Sequence, residues 1–91
     1  MEERTFVIKN QLGLHARAAG LLVRTANKYQ AEITIEKDGM VANAKSIMGV
    51  MMLAAAVGSK VRITGEGPDA SKAVRALGRL IDRRFGEEEA L

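Results

Sequence analysis

The chain has 91 residues, 47% of them hydrophobic and 27% charged, which fits one folded domain over 1–91 with a modest core and excludes a disordered chain. It contains no cysteine, so a disulfide framework, a thiolate zinc site and a redox dyad are all excluded. The net charge of +3 hides an asymmetry: residues 4–86 hold all fourteen Lys and Arg against only six of the eleven acids, a basic body suited to acidic partners.

In chain order, Thr5 to Lys9 reads as a strand with Phe6 and Ile8 on one face. Asn10 to Leu14 is a loop broken by Gly13. From Ala16 to about Lys28 the spacing is helical, with Ala19, Leu22, Val23 and Ala26 as an apolar stripe. Ile33 and Ile35 alternate with polar neighbours as a strand does, and Asp38-Gly39 is a two-residue hairpin signal. The return strand is Met40 to Ala44, with Ala42 and Ala44 inward. Ser46 is placed to cap a short helix through about Leu53.

Val61, Ile63 and Gly65 give a fourth alternating strand. Asp69 is then expected to cap a last helix bearing Ala73, Val74, Leu77, Leu80 and Ile81, with Arg83 and Arg84 in its final turn and Gly86 at its end. The order β-α-β-β-α-β-α predicts an α+β fold with three helices on one face of a four-stranded, mainly antiparallel sheet.

His15 is the only histidine, and it stands at the start of the first helix in Gly13-Leu14-His15-Ala16-Arg17-Ala18-Ala19-Gly20. A helix start carries N–H groups without intrahelical acceptors and the positive end of the helix dipole, which together favour an anion. Phosphoryl transfer needs a nucleophile and positive charge around the moving oxygens. His15 offers the nitrogen, Ala16 and Arg17 offer backbone N–H groups, and the Arg17 guanidinium offers a planar cation matched to phosphate. On spacing alone, a histidine at a helix start is most often just a cap or a surface residue. A metal site is not expected, because no second histidine and no cysteine completes a ligand shell.

The second helix is apolar nearly all round, and two turns cannot bury every side in so small a domain. Val50 and Leu53 are expected inward, leaving Ile47, Met48 and Met51 as an adaptable surface patch. Arg17, Arg24, Lys28 and Lys45 would form its basic rim. Phe6, Tyr29 and Phe85 are the only aromatics, too few for a base-stacking platform, so no nucleic-acid partner is expected. No apolar run reaches the roughly 20 residues that cross a bilayer. The residues Met1-Glu2-Glu3-Arg4-Thr5 lack the basic and apolar regions of a signal peptide. Together these point to the cytoplasm and to no membrane insertion.

The His15 motif, followed by Ala44-Lys45-Ser46-Ile47-Met48-Gly49-Val50-Met51, closely resembles the HPr family, the histidine-containing phosphocarriers of the bacterial phosphoenolpyruvate-dependent phosphotransferase system. The resemblance covers nearly the whole chain. It implies an open-faced β-sandwich and a carrier that is a substrate of phosphotransferases, not an enzyme, with no cofactor. His15 would be phosphorylated on Nδ1 by Enzyme I, steadied by Arg17, and would pass the group to an Enzyme IIA domain. Ser46 would be a regulatory site for an HPr kinase/phosphorylase. The protein is expected to be a monomer, since transient partners account for its apolar patch.

A paralogue serving a nitrogen-related or regulatory relay carries the same motif and is the alternative, with a small basic nucleic-acid-binding module behind it. One departure stands out: the family has proline after the arginine, where this chain has Ala18. Alanine is the best helix former, so the helix is expected to persist.

Overall fold

The computed structural model describes residues 1–87; Glu88 and Glu89, counted above among the terminal acids, lie outside that range. Its strands are β1 (Glu2–Val7), β2 (Glu32–Lys37), β3 (Met40–Asn43) and β4 (Lys60–Glu66), and its helices are α1 (Ala16–Ala26), α2 (Ile47–Met52) and α3 (Ala70–Asp82). The strands form one sheet in the order β1-β4-β2-β3, and every pairing is antiparallel.

The alternation read from the sequence sets the two faces of this sheet. Ile33, Ile35, Val61 and Ile63 are buried under the helices, while Glu32, Thr34, Arg62 and Glu66 line the open face. There Arg62 donates to Glu36, its direct cross-strand partner. Leu22, Val50, Val74, Leu77 and Ile81 complete the core from the helix side, and α1 packs against both α2 and α3. Gly78 is small for a reason: the Phe6 ring lies where its Cβ would be. The hairpin forms at Asp38-Gly39 with both residues at positive φ, 51° and 83°, as a type I′ turn requires.

Four boundaries differ from expectation, the smallest change being at β3, which ends at Asn43 instead of Ala44. β1 runs over Glu2–Val7 instead of residues 5–9, because its register against β4 pairs Glu2 with Gly65 and Val7 with Lys60. Lys9 leaves the strand and pairs with Asp82 at 3.1 Å. α1 stops at Ala26, where the Asn27 side-chain amide donates to Val23 O at 2.9 Å and occupies a terminal carbonyl. α3 ends at Asp82, so Arg83 is its C-cap, and Arg84, Phe85 and Gly86 form a separate turn with φ of 57°, 54° and 72°.

Asp69 does stand at the N-cap of α3, but its side chain makes no capping bond. Instead its carboxylate accepts from Gln30 N at 2.9 Å and Ala31 N at 2.8 Å, tying the loop after α1 to the start of α3. The C-terminal end of α2 is served from elsewhere too: Lys37 Nζ donates to Leu53 O at 3.2 Å, placing a cation against the negative end of that helix. Among the described residues no helix is long and apolar enough to cross a membrane, and no cluster of possible metal ligands occurs.

Candidate functional site

The loop that delivers His15 is fixed from two sides. Ile8 N donates to Ser59 O at 2.9 Å, and Leu14 N donates to Ala55 O at 2.9 Å. Gly13 sits between these ties at φ 65°, and a Cβ there would lie 2.4 Å from Ala55 O. Only glycine satisfies both the left-handed backbone and that approach. Asn10 is the one buried polar residue within the described range; its Nδ2 donates to Gly13 O at 2.8 Å.

His15 is the N-cap of α1, with extended backbone and no side-chain capping bond. The first helical bond is Ala19 N to His15 O at 2.8 Å. The N–H groups of Ala16, Arg17 and Ala18 therefore have no acceptor among the described residues. Ala16 and Arg17 are exposed, and Ala18 is buried. The imidazole is 28% exposed, and the exposure is one-sided. Nε2 has no accessible surface and no hydrogen-bond partner. Nδ1 has no partner either and is absent from the buried set, so it is the nitrogen that meets solvent.

Nε2 faces Glu87, whose Oε2 lies 3.6 Å away. That carboxylate also accepts from Asn10 Nδ2 at 3.1 Å and from Leu12 N at 3.2 Å. The Asn10 amide above all, then Leu12 N–H and the imidazole, hold the Glu87 carboxyl below the usual carboxylate range against the opposing effect of burial. Sequence reasoning missed both residues. Spacing places Asn10 only in a loop and gives Glu87 no role. The one signal was Gly86, whose left-handed turn directs the chain back toward the loop.

At α2 the Ser46 cap expected from sequence is present: Gly49 N donates to Ser46 Oγ at 3.2 Å. Val50 and Leu53 are buried, while Ile47 is 46%, Met48 71% and Met51 38% exposed. Met52, left out of the expected patch, is equally open. α1 and α2 are in contact, and the Leu14 N to Ala55 O bond ties the loop before His15 to the segment just after α2. Of the expected basic rim, Arg17, Arg24 and Lys28 are exposed. Lys45 is half-buried, and its Nζ donates to Tyr29 O at 2.7 Å.

The fold and this site define a class: a small α+β protein with a partly exposed imidazole at a helix start whose first three N–H groups lack acceptors among the described residues, and with an exposed apolar patch on a contacting helix. The family model described as "PTS HPr component phosphorylation site" matches residues 2–83. The Phosphocarrier protein HPr of Cupriavidus necator is 47% identical over 89 residues, covering 98% of this chain and all of that protein. The crystal structure of HPr-C-His from Thermoanaerobacter tengcongensis superimposes with a TM-score of 0.94 at 49% identity, covering 98% of this chain and all of that one. A crystal structure of an HPr dimer from the same organism gives 0.77, also at 49% identity, over 96% of this chain and all of that one. The chain belongs to the HPr family of phosphocarrier proteins of the phosphotransferase system.

Proposed function

We propose that His15 is the phosphoryl acceptor, loaded on Nδ1 by Enzyme I and unloaded onto Enzyme IIA domains, with the protein acting in the cytoplasm as a substrate of both. One observation carries this reading. The first helix begins with three unpaired N–H groups beside an imidazole whose accessible nitrogen is Nδ1. A phosphoryl group on that nitrogen would bring its oxygens to donors that already stand in place, with no internal bond to break first. Arg17, exposed one turn position away, adds a planar cation with paired donors. No general base is needed, because the nucleophile is a nitrogen lone pair.

The patch of Ile47, Met48 and Met51, with Arg24, Lys28 and Lys45 around it, is the surface on which these partners dock in turn. The encounters are transient, and the protein works as a monomer; sedimentation velocity reads this against the dimer described for the T. tengcongensis relative. Ser46 is a regulatory site for an HPr kinase/phosphorylase. A phosphate there sets negative charge beside a surface built for acidic partners and weakens loading by Enzyme I.

The test is incubation with phosphoenolpyruvate, Mg²⁺ and Enzyme I, followed by mass spectrometry under mildly alkaline conditions. An acid-labile gain of one phosphoryl group, absent in His15→Ala, supports the reading. A gain that persists in His15→Ala overturns it.

A further inference from the structure

In the turn after α3, Arg84, Phe85 and Gly86 are all left-handed in succession, the one such run of three among the described residues. A non-glycine residue in that region is uncommon, and strain of this kind persists only where the surroundings hold it. Phe85 is the anchor, 1% exposed in the core. The product of the reversal is the position of Glu87, whose carboxylate is held by the Asn10 amide and by Leu12 N–H. Those two donors belong to the loop that carries His15. The same carboxylate lies 3.6 Å from the buried Nε2.

We infer that Glu87 is a positioning residue for His15: its carboxylate keeps the proton on Nε2, so that the lone pair stands on Nδ1, and it balances the charge of the ring once Nδ1 is bonded to phosphorus. The inference rests on the carrier reading above and specifies how the site works. An imidazole with one N–H places it on the nitrogen that faces an acceptor. A buried carboxylate does this for the histidine of a hydrolase triad. At 3.6 Å the contact is too long for a hydrogen bond in the resting protein, and such contacts commonly tighten when the reacting partner binds.

The step balances without another reagent. The Nδ1 lone pair forms the N–P bond while the bond from phosphorus to the phosphorylated donor enzyme breaks, its electrons leaving with the donor. The proton on Nε2 stays, the ring becomes cationic, and the Glu87 carboxylate neutralises it. On transfer to the acceptor the electron pair returns to Nδ1. A neutral residue at position 87 would leave that cation without a charge partner, beside the Asn10 Nδ2 and Leu12 N–H donors that now serve the carboxylate.

The test uses the full chain labelled with ¹⁵N, as wild type, Glu87→Gln and Glu87→Asp. Wild type is expected to show the Nε2–H tautomer in long-range ¹H–¹⁵N spectra, and Glu87→Gln a mixture. The equilibrium between phosphorylated Enzyme I and the carrier should shift away from the carrier by roughly fivefold in Glu87→Gln, the scale of a partly exposed charge pair. Glu87→Asp, which keeps the charge, should recover most of that loss. Amide shifts outside residues 10–15 and 84–87 report that each variant is folded. The same tautomer and equilibrium in wild type and Glu87→Gln overturn the inference, as does a Glu87→Asp variant no better than Glu87→Gln, which would mark a merely structural latch. Failure of wild-type His15 to take up phosphate overturns the carrier reading instead, and the tautomer spectra then stand or fall separately.

Discussion

Two neighbouring helices begin differently. At α2, Ser46 turns its hydroxyl inward and accepts from Gly49 N, so the helix closes its own start. At α1, His15 occupies the equivalent position and gives its helix no side-chain acceptor. A free helix start forgoes about 1 kcal/mol of capping. One terminus closes on itself, and the other leaves its first amides without acceptors among the described residues, where the proposed function puts the phosphoryl oxygens.

Opposite responses to substitution would test this contrast most directly. His15→Ala should abolish the acid-labile phosphoryl gain, whereas Ser46→Ala should retain it; mass spectrometry reads both. Gly13→Ala attacks the loop that supports the open start. The left-handed backbone and the 2.4 Å approach to Ala55 O should together remove about 3 kcal/mol in urea denaturation. Stability should then rank the two caps in reverse order to function. Ser46→Ala should lose about 1 kcal/mol, and His15→Ala less than about 0.5 kcal/mol, since no capping bond disappears.

A third helix start sharpens the comparison through pH. The Gln30 amide above all, helped by Ala31 N–H and the nearby Lys45 charge, holds the Asp69 carboxyl below its usual range despite some burial. A depressed carboxyl binds more protons unfolded than folded. Its contribution is therefore complete above the usual carboxylate range and lost as pH falls through the lower, folded value. Asp69→Asn should flatten the acid limb of a plot of denaturation midpoint against pH; an unchanged slope would contradict the tie to Gln30 and Ala31. The smallest effect belongs to Ala18→Pro. It removes an N–H with no acceptor among the described residues at a position where the first helical turn tolerates proline. Phosphate uptake should survive.

What could be read from the sequence was whatever local spacing controls. Ser46 caps an amide three residues away, and the α1 stripe of Ala19, Leu22, Val23 and Ala26 is buried throughout. The strand alternation in β2 and β4 holds for the same reason. The failures are long-range. Asp69 looked like a cap, but its partners lie 38 and 39 residues earlier in the chain. Glu2, Glu3 and Arg4 have no apolar alternation, so only the pairing with β4 shows that β1 includes them. Glu87 and Asn10 are 77 residues apart, and apart from Gly86, which marks a turn but not its destination, neither segment announces their meeting beside His15.

The surface of α2 also has a chemical vulnerability. Met48 and Met52 are about 70% exposed and Met51 is partly so, which leaves thioethers open to peroxide. Conversion to sulfoxide turns a greasy, pliable side chain into a polar, chiral one, reversibly where a reductase is present. On the docking role proposed for this patch, an oxidising insult would blunt partner recognition while leaving the imidazole chemistry untouched.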